Sequence, residues 1–157
     1  MKNIILTISI GIFLLSSFTL SAQTKIYIGN STRHFDMLYT VAGDKIYRGS
    51  STSFTDIQFT VTGDKVYQGN STSFTDCLYT LKDDKVYRGS STSFTDCLYT
   101  IGNGKIYKGS TTSFTDCLFT IHGKKVYQGD STSFTDCIIS FEGTINTAII
   151  AVLIGPY

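Results

Sequence analysis

Lys85-Val86-Tyr87-Arg88-Gly89-Ser90-Ser91-Thr92-Ser93-Phe94-Thr95-Asp96-Cys97-Leu98-Tyr99-Thr100-Ile101-Gly102-Asn103-Gly104 is one complete unit of this chain, and its neighbours on both sides are near copies of it. Units begin at Lys25, Lys45, Lys65, Lys85, Lys105 and Lys125, always twenty residues apart, and no insertion or deletion breaks the phase through residue 144. A unit this short cannot bury a core alone, so the period predicts an array whose units share a core with their neighbours.

Two strands can be read in each unit. Cys97-Leu98-Tyr99-Thr100-Ile101 is β-branched and aromatic, and Lys105-Ile106-Tyr107-Lys108 is its shorter companion. Between such strands lie Gly43-Asp44, Gly63-Asp64, Asp83-Asp84, Asn103-Gly104, Gly123-Lys124 and Gly143-Thr144. These dipeptides tolerate positive φ, as two-residue hairpin turns require. The second connection, Gly-x-Ser-Thr-Ser-Phe-Thr-Asp, is rich in side chains that bond nearby backbone and reads as a structured loop.

The fold expected is all-β. A β-solenoid, one coil per unit, is placed first because a coil of fixed circumference cannot absorb a slip without turning core residues outward. A row of stacked β-hairpins is the alternative, and the turn chemistry favours it. Like residues would recur about 4.8 Å apart in the solenoid and at about twice that in the hairpin row.

Substitutions between units mark the expected core face. Met37, Ile57, Cys77, Cys97, Cys117 and Cys137 share one slot. Two residues on come Tyr39, Phe59, Tyr79, Tyr99, Phe119 and Ile139, and after two more Val41, Val61, Leu81, Ile101, Ile121 and Phe141. Apolar residues at period two predict one buried strand face. The slot of Ile28, Arg48, Gln68, Arg88, Lys108 and Gln128 mixes chemistry freely and is expected to be exposed.

The ends differ from the array. Residues 1–22 read as a secretory signal: Lys2, an apolar run from Ile4 to Leu15, and a small-residue end Leu20-Ser21-Ala22 before Gln23. Export implies a periplasmic, cell-surface or secreted product in a compartment that permits disulfides. The repeats occupy 25–144, and 145–157 is an apolar segment stopped by Gly155-Pro156. Ten residues of helix reach about 15 Å, short of a bilayer's roughly 30 Å, so no membrane span is expected once the signal is removed. Ile149, Ile150, Val152 and Leu153 are read as a cap over the last unit's open core, or as an assembly surface if the protein associates with itself.

Charge and motifs then exclude function classes. Of 13 basic side chains one is Lys2, which leaves 12 against 12 acidic ones after residue 22. A chain with no net charge has no field with which to collect nucleic acid. No catalytic residue and no cofactor is expected, because every Ser, Asp and Lys candidate recurs in each unit and the singular His34, His122 and Glu142 have no evident partners. No metal is expected either, since neither zinc spacing nor a calcium-solenoid repeat occurs. Cys77, Cys97, Cys117 and Cys137 exchange with Met37 and Ile57, which suits small buried hydrophobes. They could form disulfides only if like residues stack within about 7 Å. The Asp36 to Asp136 row is read as tying down its loops. The loops themselves offer Thr52, Ser53, Thr72, Ser73, Thr92, Ser93, Thr112 and Ser113 as candidate contacts for a protein or glycan ligand.

The unit Lys-Val-Tyr-x-Gly-x-Ser-Thr-Ser-Phe-Thr-Asp-Cys-Leu-Tyr-Thr resembles short exported bacterial proteins built from Tyr-x-Gly-x-Ser-Thr-Ser repeats, a group largely without assigned function. The resemblance covers residues 25–144 and implies β-repeat structure without a catalytic residue. In plan the chain is also similar to curli-type fibre subunits, though it lacks their regular Gln and Asn ladders. Two functions are therefore expected as rivals: a surface binding or adhesion module, and a subunit of a self-assembling fibre.

Overall fold

The computed structural model describes residues 23–155; the expected signal segment lies outside them. Twelve strands alternate long and short: β1 Thr24–Ile28, β2 Met37–Ala42, β3 Lys45–Arg48, β4 Ile57–Thr62, β5 Lys65–Gln68, β6 Cys77–Lys82, β7 Lys85–Arg88, β8 Cys97–Gly102, β9 Lys105–Lys108, β10 Cys117–His122, β11 Lys125–Gln128 and β12 Cys137–Glu142. One helix follows, α1 Thr147–Ile154.

The turn reading holds. Asp83 and Asp84 have φ of 52° and 57°, and Asn103 and Gly104 have 52° and 72°, the signature of type I′. Gly43, Gly63 and Gly123 alone take positive φ in their dipeptides, which suits type II′. Both types twist as the flanking strands do, so each long strand returns as an antiparallel hairpin.

The solenoid placed first is wrong. The hairpins form a row, and the row closes: every strand pairs with its chain neighbours, and β1 pairs with β12 to complete an antiparallel barrel. Lys25, Ile26 and Tyr27 oppose Glu142, Phe141 and Ser140 in the register in which Lys45, Ile46 and Tyr47 oppose Ala42, Val41 and Thr40. The sixth hairpin is therefore assembled from the two ends of the array. The lack of slips has its cause here, because one slipped unit would spoil the pairing all round the ring.

Closure also overturns the reading of the tail as a cap, since no described strand edge is left open. Strand side chains alone fill a barrel of about eight strands, and twelve leave room inside. Helix α1 occupies that room. Five consecutive residues, Ala148 to Val152, are buried, which covers every side of a helix, and they belong to the same core as strand residues from all round the barrel. Leu153 and Ile154 are half-buried against that core. Asn146 starts the helix by accepting a hydrogen bond from Ala148 N at 2.8 Å. Around the helix Ile26, Ile46, Val66, Val86, Ile106 and Val126 make one layer at 0–1% exposure.

The period-two core face needs a second correction. Between each short strand and the next long one the register slips, as where Ile46 faces Phe59 but Tyr47 faces Ile57. This bulge turns the Met37/Ile57/Cys slot onto the outer face, beside Thr40 and its equivalents; Thr40 Oγ1 lies 3.4 Å from Met37 Sδ. The residue between takes the inward place, and Leu38, Leu78, Leu98, Leu118 and Ile138 pack against the core. The Ile28 to Gln128 slot is exposed, as expected.

Candidate functional site: the six outer loops

Each short strand ends in a glycine with left-handed φ, for instance Gly49 at 63°, which sends the chain back across the outer face. Gly49 N donates to Leu38 O at 2.8 Å, and Thr40 Oγ1 donates to Gly49 O at 2.7 Å. Gly69, Gly89, Gly109 and Gly129 repeat the arrangement with Thr60, Thr80, Thr100 and Thr120. Tyr67, Tyr87, Tyr107 and Tyr127 are buried at 7–9% exposure although they face away from the lumen.

Within a loop the polar side chains largely serve the loop. Ser51 Oγ donates to Asp56 Oδ2 at 2.5 Å and accepts from Ser53 N at 3.0 Å, while Asp56 N donates to Ser53 O at 3.0 Å. Ser31, Ser71, Ser91 and Ser131 hold Asp36, Asp76, Asp96 and Asp136 in the same way. The aspartates thus tie down their loops. Among the described residues no group of three or more His, Cys, Asp or Glu is arranged to hold a metal ion.

What remains to face outward is Thr52 with Ser53, and their equivalents Thr72, Ser73, Thr92, Ser93, Thr112 and Ser113, all exposed. Beside them stands a feature missed in the sequence. Phe54, Phe74, Phe94, Phe114 and Phe134 are 71–76% exposed, and Phe35 is 96% exposed. In the first unit His34 fills the phenylalanine slot and Phe35 follows it, the two rings in edge contact at 5.9 Å. A phenylalanine flanked by Ser and Thr in every unit has no strand face in which to hide, and that was the available signal. These rings recur once per loop on the outside of the barrel, and no strand packing uses them.

The cysteines are free and half-buried. Like residues in adjacent hairpins are two strands apart, about 9–10 Å, which exceeds what a disulfide spans. Each thiol instead donates weakly to the carbonyl two residues on, as Cys97 Sγ does to Tyr99 O at 3.6 Å. Burial raises the Cys137 thiol pKa, the opposite of what a reactive thiolate needs.

The model of a family described as 6-fold beta flower protein matches residues 26–153, from the first strand of the ring to the helix within it. The chain belongs to this family. Six hairpins as petals around a central helix fit that description, and the match takes in α1 together with the strands. Neither the curated proteins nor the solved structures compared with this beta flower gave a match.

Proposed function

We propose that this beta flower is an exported, non-enzymatic scaffold that binds a protein or glycan at the cell surface or outside the cell through its outer loops. The observation that carries the reading is the set of exposed phenylalanines, one per loop, each beside exposed Thr and Ser hydroxyls. A solvated aromatic ring with hydroxyls at its side offers an apolar face and hydrogen bonds together, a combination suited to sugar rings and to protein partners. Copies of one weak site on a rigid ring gain by avidity when the partner is itself repetitive. Strands of four to six residues are shorter than the nine to eleven that a membrane-crossing strand needs. The alternative is a subunit of a self-assembling fibre, which would need contacts other than an open strand edge, since β1 pairs with β12.

The test uses the chain from Gln23 onward, which holds every described strand and α1. Binding to intact cells and to an oligosaccharide array is compared between this protein and a variant with Phe54, Phe74, Phe94, Phe114 and Phe134 changed to Ser. Loss of binding with an unchanged melting curve is expected. Retained binding would refute the role of the loops, and spontaneous seedable fibrils of the parent protein would restore the fibre reading.

A further inference from the structure

One of the six grooves between hairpins is unlike the rest. On the outer face Lys125 of β11, Ser140 of β12 and Tyr27 of β1 stand side by side across three strands. The equivalent trios elsewhere are Lys45, Thr60, Tyr67 and their repeats, and there the threonine hydroxyl holds the returning loop by its glycine carbonyl. At the seam Ser140 Oγ instead donates to Ser31 O at 2.6 Å, two residues further along the loop, and Asn30 Nδ2 reaches Phe134 O at 3.0 Å. The seam loop is thus anchored differently, and between it and the strands lies a cleft of about 440 Å³. That volume is in the range of small-molecule sites, about 300–1,000 Å³.

The cleft is lined by opposite charges that do not satisfy each other. Lys105, in the slot equivalent to Lys125, is paired with Asp130 of its loop. Asn30 fills the Asp130 slot at the seam, as Ser50, Asn70, Ser90 and Ser110 fill it elsewhere, so Lys125 has no carboxylate in its loop. Among the described residues Lys125 has neither an ion pair nor a hydrogen bond. Across the cleft is Glu142, in the slot that Ala42, Thr62, Lys82, Gly102 and His122 fill elsewhere. Its Oε2 accepts from Tyr27 Oη at 3.0 Å, and among the described residues it too has no ion pair, although Lys25 lies opposite on β1. Burial, with Glu142 as its hydrogen-bond acceptor, raises the Tyr27 pKa and keeps the phenol a donor. Asn30 Oδ1, closed off from solvent beside the cleft, has no partner among the described residues. Lys124 is committed to Gly143 O and to the Phe141 ring, 5.4 Å from its centroid.

We propose that this seam cleft binds a small zwitterion, a free amino acid or a dipeptide, with its ammonium on Glu142 and its carboxylate on Lys125. The ligand supplies to each charge the partner that the fold withholds, and it bridges the two ends of the barrel-forming array. This site is independent of the phenylalanine loops.

Calorimetric titration of the chain from Gln23 with glycine and with glycylglycine tests it, beside propionate, ethylamine and glucose. Saturable binding of a zwitterion but not of the singly charged compounds or glucose is expected. Glu142→Gln and Lys125→Gln should each weaken that binding at least about tenfold, as the loss of one charge-assisted contact does. Lys65→Gln, at an ordinary groove, should leave it unchanged. Near-ultraviolet circular dichroism of each variant checks the fold, and both seam changes keep size and polarity. Absence of any zwitterion binding, preference for glucose, or equal loss in Lys65→Gln would overturn the proposal.

Discussion

Replacing Ile150 by Ala probes whether α1 is the filling of the barrel or an appendage to it. Ile150 is 1% exposed and sits mid-helix among the core residues of the surrounding strands. The change removes three carbon groups, worth about 2.4 kcal/mol at about 0.8 kcal/mol each. A rigid ring cannot collapse onto the vacated space, so a cavity cost is added and about 3–4 kcal/mol is expected in total. Helix propensity works slightly the other way, since Ala exceeds Ile by a few tenths of a kcal/mol. With a urea slope of about 1.5 kcal/mol/M, the unfolding midpoint should fall by about 2 M. Ile28→Ala is the control: Ile28 is 55% exposed, and its loss should shift the midpoint by about 0.3 M or less. Equilibrium urea denaturation followed by circular dichroism reads both. If Ile150→Ala unfolds where Ile28→Ala does, α1 does not fill the lumen and the account of the core is wrong.

Deleting residues 85–104 removes one short and one long strand and leaves ten; the narrower ring should no longer hold α1, and aggregation or loss of cooperative melting is expected, whereas an open array would have tolerated it. Cys97→Val should fold and cost about 1 kcal/mol or less, since the half-buried thiol makes only weak hydrogen bonds, to Tyr99 O and with Thr100 Oγ1; mass spectrometry of the unreduced parent protein should find four free thiols. Tyr27 has a folded-state pKa above its unfolded value, so its contribution is complete below about pH 10 and is lost as pH rises through the folded pKa. Alkaline melts of Tyr27→Phe should accordingly fall less steeply with pH than those of the parent protein. If the first 22 residues are an export signal, Edman sequencing of protein recovered outside the cytoplasm should start at Gln23.

The share of this that can be read without coordinates is the local share. Strand positions, hairpin turns of two types, loops tied by aspartate, and the exposed Arg48 slot all depend on residues within one unit, and each unit states them again. The candidate loop residues were found on the same basis, whereas the exposure of Phe54 and its equivalents was not. The flanking Ser and Thr placed the ring in a loop, and the path of that loop outside the sheet leaves it in solvent.

Three features belong to the tertiary structure alone. A bulge too small to mark the sequence moved the cysteine slot outward and Leu98 inward, because its effect is a change of face and not of strand identity. Pairing between Ile26 and Phe141 joins residues at opposite ends of the array, and a unit in a ring has the same two neighbours as a unit in an open row. No single unit therefore records closure; it follows from strand tilt and twist summed over all twelve strands. Once the ring closes at that width, its lumen demands an apolar filling, and that demand turns the tail from a lid into a core. The seam cleft follows from the same event, since Asn30 and Glu142 stand far apart in the chain and meet only where the barrel is joined.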